Sequence, residues 1–246
     1  MININCDIGE RGADHPIDIQ LMTLIQIANI ACGGHAGDRE SVIAFRNLAV
    51  ENGVEVAAHL SYPDRENFGR TSMDISPETL KATLDDQYQM MPDVKMIKFH
   101  GALYNDACAD NKRALVLIEW LLGKEITHVI TPFDSLLADS CRETHISVVA
   151  EAFAERRYTW SEETGRLSLV NRKHDYASIQ DCDEAVRHAV DIVKNHQVNA
   201  FIENNTGNAG RKLVPIQAET ICIHSDSIIA LELAQKLAAA FDTSIT

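Results

Sequence analysis

The chain contains no apolar run approaching the roughly 18 residues of a transmembrane helix, and it enters a strand-like segment at once, without a basic and then apolar leader. That pattern argues against a helical membrane protein, and a cytoplasmic one is expected. The six cysteines, at 6, 32, 108, 141, 182 and 222, form no CxxC pair and no paired framework. Neither a redox dithiol nor a disulfide scaffold is indicated, so reduced thiols within the core are expected. No basic stripe interleaved with aromatics offsets a formal net charge of −14, which argues against a nucleic acid partner. A small anion in a locally basic pocket remains compatible with that balance. A linker, an internal repeat and a low-complexity tract are also missing, so the 246 residues are expected to form one domain, 1–246.

What the chain does have is a recurring pattern of short apolar runs that end abruptly in ionisable residues. The runs are Ile2-Asn3-Ile4-Asn5-Cys6-Asp7, Ala28 through His35, Val56-Ala57-Ala58-His59, Met96-Ile97-Lys98-Phe99-His100, Val148-Val149-Ala150-Glu151 and Thr220-Ile221-Cys222-Ile223-His224. Parallel strands that all run one way carry their last residues to a single rim, where groups distant in sequence converge.

Between these runs the apolar period becomes helical. Asp38 caps a helix over Arg39 to about Asn52, which Gly53 stops, and Ser76-Pro77 opens another that Pro92 ends near Met91. Asp110 to Lys124, Asp181 to Asn195 and Ser227 to Ala240 repeat the logic. The alternation argues for βαβ units, and polar residues at nearly every strand end favour a closed barrel over a doubly wound sheet with one switch point. Thr127 to Phe133 supplies a further strand. Between Val198 and Gln217 no crossover helix fits, and Thr206-Gly207-Asn208-Ala209-Gly210 separates two β-rich runs. The expected architecture is a seven-stranded parallel β/α barrel with a β-hairpin appended before the last strand.

Side chains on a strand alternate, so Asn3, Asn5 and Asp7 share one face, as do Lys98 and His100, and Cys222 and His224. Asn3 and Asn5 either plug the barrel end with hydrogen bonds or serve the site; Asp7 points to function. Lys98 stands out because a lysine inside an apolar strand is costly unless it meets an anion. His35 and Asp38 lie in a turn with three glycines, Gly33, Gly34 and Gly37, that lacks both a Walker lysine and the G-x-G-x-x-G spacing; Asp38 reads as a helix cap. His59 introduces a polar loop, Ser61 to Arg70, that reads as a lid or as a set of solvated ion pairs through Asp64 and Glu66. Glu151 ends the sixth run with Arg156 and Arg157 behind it, either a clamp for a substrate carboxylate or a surface loop in which Glu155 pairs locally.

Taken in order, Asn5-Cys6-Asp7-Ile8-Gly9-Glu10, Ala28 to Asp38, His59-Leu60-Ser61-Tyr62-Pro63-Asp64-Arg65, Lys98-Phe99-His100-Gly101-Ala102-Leu103-Tyr104-Asn105, Glu151-Ala152-Phe153-Ala154 and Glu219 to His224 resemble the LamB/YcsF family, that of the 5-oxoprolinase A subunit. The resemblance spans about the whole chain. It departs at Gly34, where the family usually has Phe, at Arg39, Leu60 and Phe99 for Pro, and at Ser225 for Gly. It implies a distorted TIM-like barrel akin to glycoside hydrolase and deacetylase barrels, ATP-dependent opening of 5-oxoproline to glutamate, and two companion subunits.

Lactam hydrolysis needs an activated water, charge opposite the developing oxyanion and a proton for the leaving nitrogen. The expected catalytic set is Asp7 as base, oriented by His35 or His59, with Lys98 and His100 opposite the oxyanion and Glu151 as acid. Substrate-binding roles are expected for Asn5, Glu10, Tyr62, Asp64, Arg65, Tyr104, Asn105, Arg156 and His224. Two alternatives stand beside this one. The first is a metal-dependent amidohydrolase or deacetylase, with Asp7, His35, His59 and His224 as ligand types for Zn²⁺ but no HExxH spacing. The second is a non-catalytic subunit that binds a small carboxylate.

Overall fold

The computed structural model describes residues 2–203 and 210–241. In chain order the strands are β1 (Asn3–Ile8), β2 (Ile27–Ala31), β3 (Glu55–Leu60), β4 (Met96–Phe99), β5 (His128–Thr131), β6 (Ser147–Phe153), β7 (Tyr158–Ser161), β8 (Arg166–Leu169), β9 (Gln197–Glu203), β10 (Arg211–Pro215) and β11 (Thr220–His224). The helices are α1 (Pro16–Leu21), α2 (Arg39–Asn52), α3 (Pro77–Tyr88), α4 (Gly101–Ala109), α5 (Asn111–Gly123), α6 (Leu136–Glu143), α7 (Cys182–Asn195) and α8 (Ala230–Phe241).

Seven parallel strands close into a barrel in the order β1-β11-β6-β5-β4-β3-β2, the architecture that the repeated strand–helix alternation implies. Closure brings the first and last strands together, with Asp7 opposite His224 on one side and Asn29 on the other. Inside, Ile27, Ala57, Met96 and Ile130, with Val149, form an apolar layer. Asn5, Asn29, Lys98 and Glu151 form a polar group that is also buried. A second, larger apolar core lies between the barrel and its helices and includes Phe45, Leu84, Leu117 and Leu237.

Local signals fix the helix ends. Asp38 accepts a hydrogen bond from the Ser41 amide, and Gly53 terminates α2 at φ 67°. Ser76 caps α3 with Pro77 in its first turn, but the helix ends at Tyr88, three residues short of Met91, where Tyr88 turns its hydroxyl onto the Pro92 and Val94 carbonyls. α1, α4 and α6 have no counterpart in the sequence reading. They are short, of 6, 9 and 8 residues, too brief for a clear apolar period.

The hairpin requires correction. β9 and β10 do pair antiparallel, but they belong to a four-stranded sheet of order β10-β9-β7-β8. The segment behind Arg157, to which the sequence reading assigns no element, supplies β7 and β8, and β7 joins β9 in parallel. Most of the turn expected at Thr206–Gly210 lies outside the described residues. All six cysteines are free thiols, five of them buried and Cys108 half-buried.

Candidate active site

Lys98 is the centre of the polar group. Its ammonium lies 2.9 Å from Asp7 Oδ1, 2.8 Å from Glu151 Oε1, 3.2 Å from Asn5 Oδ1 and 3.1 Å from Cys222 Sγ. Burial alone would lower its pKa, but Asp7, Cys222 and Glu151 outweigh that and hold it well above the usual lysine value. Asp7 is shifted the other way: desolvation opposes ionisation, yet His59 and Lys98 keep the carboxyl well below the ordinary range. A lysine in an apolar strand has therefore met two carboxylates, as the cost of burying it demands. Asn5 donates to Thr220 Oγ1 while its carbonyl accepts from Asn29 and Lys98, so it both plugs the barrel and positions the ammonium. Tyr104, from α4, donates to Glu151 Oε2 at 2.8 Å.

Beside this charge centre three histidines gather around Glu10. His35 Nε2 lies 2.9 Å from Glu10 Oε1, His100 Nδ1 3.5 Å and His59 Nε2 3.9 Å. His59 Nε2 is also 3.3 Å from Asp7 Oδ2 and 2.9 Å from His100 Nδ1. Burial, then neighbouring His59, depresses His35; burial, then His35 and His59, depresses His100. His100 is consequently a neutral imidazole at neutral pH, which argues against its expected part as a charge opposite an oxyanion. Burial raises the Glu10 carboxyl to about 7, and Asp7 adds to the rise.

The loop after β3 covers the histidines. Phe68 O accepts from His100 Nε2, and Gly69 O accepts from the Ala102 amide. Gly101, at φ +58°, lies so close that a β-carbon there would sit 2.4 Å from Gly69 O. Arg70 closes the loop onto Asp226, just beyond β11, at 3.0 Å. Gly34 is tighter than the family resemblance suggests: Gln87 fills its space, accepting from the Ser61 amide and donating to the Ser61 carbonyl, and a β-carbon at Gly34 would come within 2.3 Å of it.

Several expected binding residues prove to be occupied elsewhere. Tyr62 is fully buried and donates to Asp106, because only that carboxylate satisfies its hydroxyl. Asp64 accepts from the Asn67 amide and side chain, a loop-closing role, and Arg65 donates to the Gly33 and Gly37 carbonyls. Asn105 is exposed on α4, one position past Tyr104 and so about 100° around the helix from it. Arg156 is buried and donates to the Ala177 and Val170 carbonyls, with burial bringing its pKa down to about 10; Arg157 pairs with Glu184. The expected arginine clamp is thus a scaffold holding the accessory sheet and its loop. His224 binds Glu155 Oε1 through Nδ1 and its amide, and stacks on Phe153.

Asn29 and Arg172 escaped the sequence reading, and Glu155, read there as pairing locally, pairs instead with the distant His224. Asn29 sits mid-run among small apolar residues, where only its facing Asn5 and Asp7 would betray it. Arg172 is exposed by its surface area, but the protein around its guanidinium desolvates it and lowers its pKa, Arg70 adding to the fall and Asp226, Glu155 and Asp7 opposing it. A cavity of about 220 Å³ reaches Glu151 and Phe153, walled by Pro132, Phe133, Leu167 and Ile216. Asp38 fills the N-terminus of α2 with its own carboxylate, so the glycine-rich turn has no free phosphate cradle. Glu10, His35, His59 and His100 offer ligand atoms close enough to hold a metal ion, as do Asp7, Cys222 and His224, although in the second group Cys222 and His224 are already engaged by Lys98 and Glu155.

The closed seven-stranded barrel carries a buried carboxylate–lysine–carboxylate centre, and the chain belongs to the LamB/YcsF family, whose sequence profile matches residues 2–245. It is 34% identical over 245 residues to the 5-oxoprolinase A subunit of Haemophilus influenzae (strain PittEE), covering 96% of this chain and 94% of that one. It is 33% identical to the 5-oxoprolinase A subunit of Staphylococcus carnosus (strain TM300), covering 96% and 93%. The crystal structure of the lactam utilization protein from Thermus thermophilus superposes with a TM-score of 0.81 at 28% identity, covering 99% of this chain and 96% of that one.

Proposed function

We propose that the chain is the ring-opening subunit of an ATP-dependent 5-oxoprolinase, converting 5-oxo-L-proline to L-glutamate together with two companion subunits. The observation that carries this reading is Lys98 held between Asp7 and Glu151. Asp7, ionised, takes a proton from the attacking water. Lys98 balances the charge that develops on the carbonyl oxygen. Because the ammonium is hydrogen-bonded to Asp7 and ion-paired with Glu151 at 2.8 Å, it passes a proton toward Glu151 as it regains one from Asp7, and Glu151 delivers it to the leaving nitrogen. Tyr104 holds Glu151 in place. The apolar wall of the cavity beside Glu151 and Phe153 suits the methylene groups of a small lactam.

The names borne by the relatives support the lactam and the subunit role. The reading assigns ATP to the companions, since the glycine-rich turn before α2 is capped by Asp38. The test is glutamate release from 5-oxoproline and ATP, measured with and without the companion subunits. Release only in the complete mixture, abolished by Lys98→Met, is expected. Ligand binding without turnover in the complete mixture would instead make this a carboxylate-binding subunit.

A further inference from the structure

We propose that Glu10, His59 and His100 form a site for one divalent transition-metal ion of the zinc class. The inference deepens the hydrolytic reading above, but it stands on the orientation of the two imidazoles.

His59 Nδ1 lies 3.1 Å from the Lys98 carbonyl, and His100 Nε2 lies 3.0 Å from the Phe68 carbonyl. A carbonyl oxygen only accepts, so these two nitrogens carry the ring hydrogens. The remaining nitrogens, His59 Nε2 and His100 Nδ1, then present lone pairs, and they face each other at 2.9 Å. Two lone pairs at that distance repel unless a proton or a metal ion lies between them, and Asp7 Oδ2 at 3.3 Å from His59 Nε2 and Glu10 Oε1 at 3.5 Å from His100 Nδ1 add the negative charge that favours a divalent ion there. Backbone carbonyls that fix the outer nitrogen and free the inner one are the usual support of a metal-bound histidine.

The spacing agrees. A tetrahedral zinc site with bonds of about 2.0–2.1 Å places its ligand atoms about 3.3 Å apart. The three separations here are 2.9, 3.5 and 3.9 Å. The rings of His59 and His100 are nearly perpendicular, at 87°, so both lone pairs can converge on one point. His35 cannot join them. Its ring lies parallel to that of His100, at 3° and 3.6 Å, and no point is in the plane of both. His35 instead donates to Glu10, and its Nδ1 has no partner among the described residues. Charge agrees as well: Asp7, Glu10 and Glu151 against Lys98 leave two negative charges when ionised, which a divalent ion cancels. Three protein ligands leave a fourth position, next to Asp7 Oδ2, which is 3.3 Å from His59 Nε2. A water held there would lose its proton more readily and have Asp7 to accept it.

The test is binding, read without substrate. Metal-stripped full-length protein is titrated with Zn²⁺ by calorimetry and with Co²⁺ by visible absorption, and histidine ¹⁵N shifts are followed in the Zn²⁺ series. One equivalent is expected, with four-coordinate Co²⁺ bands and with shifts at His59 Nε2 and His100 Nδ1. His59→Gln and His100→Gln should each lose binding, whereas His35→Gln should retain it, weakened about 10- to 100-fold. Absence of stoichiometric binding, with nitrogen shifts indicating a proton shared by His59 and His100, would overturn the proposal. So would undiminished affinity in both variants. The wild-type shifts decide the matter even if a variant does not fold. Loss of the metal site would leave lactam hydrolysis open, and absence of hydrolysis would leave the metal site standing.

Discussion

Lys98 Nζ and Asp7 Oδ1 meet at 2.9 Å across 91 residues of sequence, and both groups are almost fully buried. Breaking a buried pair leaves a charge without compensation, which costs about 3–5 kcal/mol. Lys98→Met is therefore expected to abolish turnover and also to lower stability by about that amount, measured by urea unfolding. Adding Glu151→Gln should restore part of the stability and none of the activity. Wild-type turnover in Lys98→Met would remove Lys98 from the mechanism.

Tyr104→Phe deletes only the hydroxyl that binds Glu151 Oε2. Leaving that buried oxygen unsatisfied costs about 1–3 kcal/mol, so a fall in kcat of roughly tenfold or more with little change in KM is expected. An unchanged kcat would mean that the orientation of Glu151 does not limit the reaction.

Arg172 and Arg156 should separate cleanly in steady-state kinetics. Arg70 is already paired with Asp226 and Arg156 with backbone carbonyls, which leaves the exposed Arg172 as the cation suited to a substrate carboxylate near this rim. Arg172→Ala should raise KM about 10- to 100-fold at an unchanged melting temperature, the loss of one charge-assisted contact. Arg156→Met should lower the melting temperature without a selective effect on KM. The reverse pattern would reinstate Arg156 as the clamp.

His188 makes folding stability depend on acid. Burial, with Arg157 next, lowers its pKa from 6.5 to about 4. Between those values the unfolded chain binds the proton that the folded chain refuses, so stability is intact above pH 6.5 and declines as the pH falls toward 4. The single group accounts for at most on the order of 3 kcal/mol across that window. His35 and His100 are shifted in the same direction. His188→Gln should flatten, without abolishing, the slope of urea midpoint against pH. An unaltered slope would show that His188 is protonated in the folded state.

What could be read in the sequence follows from how each signal is encoded. The barrel strands and the long helices carry periodicity and caps within a few residues, and Asp38, Gly53 and Ser76 act where local chemistry places them. Lys98 stood out because a charge inside an apolar run has few explanations. Residues whose partners are remote were ambiguous. Arg156 looks like a ligand clamp until the Val170 and Ala177 carbonyls are seen to claim it, and Tyr62 looks free until Asp106 is placed. β7 and β8 are short, at four residues each, and their half-exposed faces give little alternation to detect.

The pairing of β1 with β11 has a consequence for biosynthesis. Asp7 is synthesised well before Cys222 and His224, which lie on the strand that neighbours its own. A polypeptide lacking β11 holds Asp7, His59, Lys98 and Glu151 yet has no closed ring of strands on which to mount them. Closure of the ring of strands therefore waits on β11, which lies between β1 and β6.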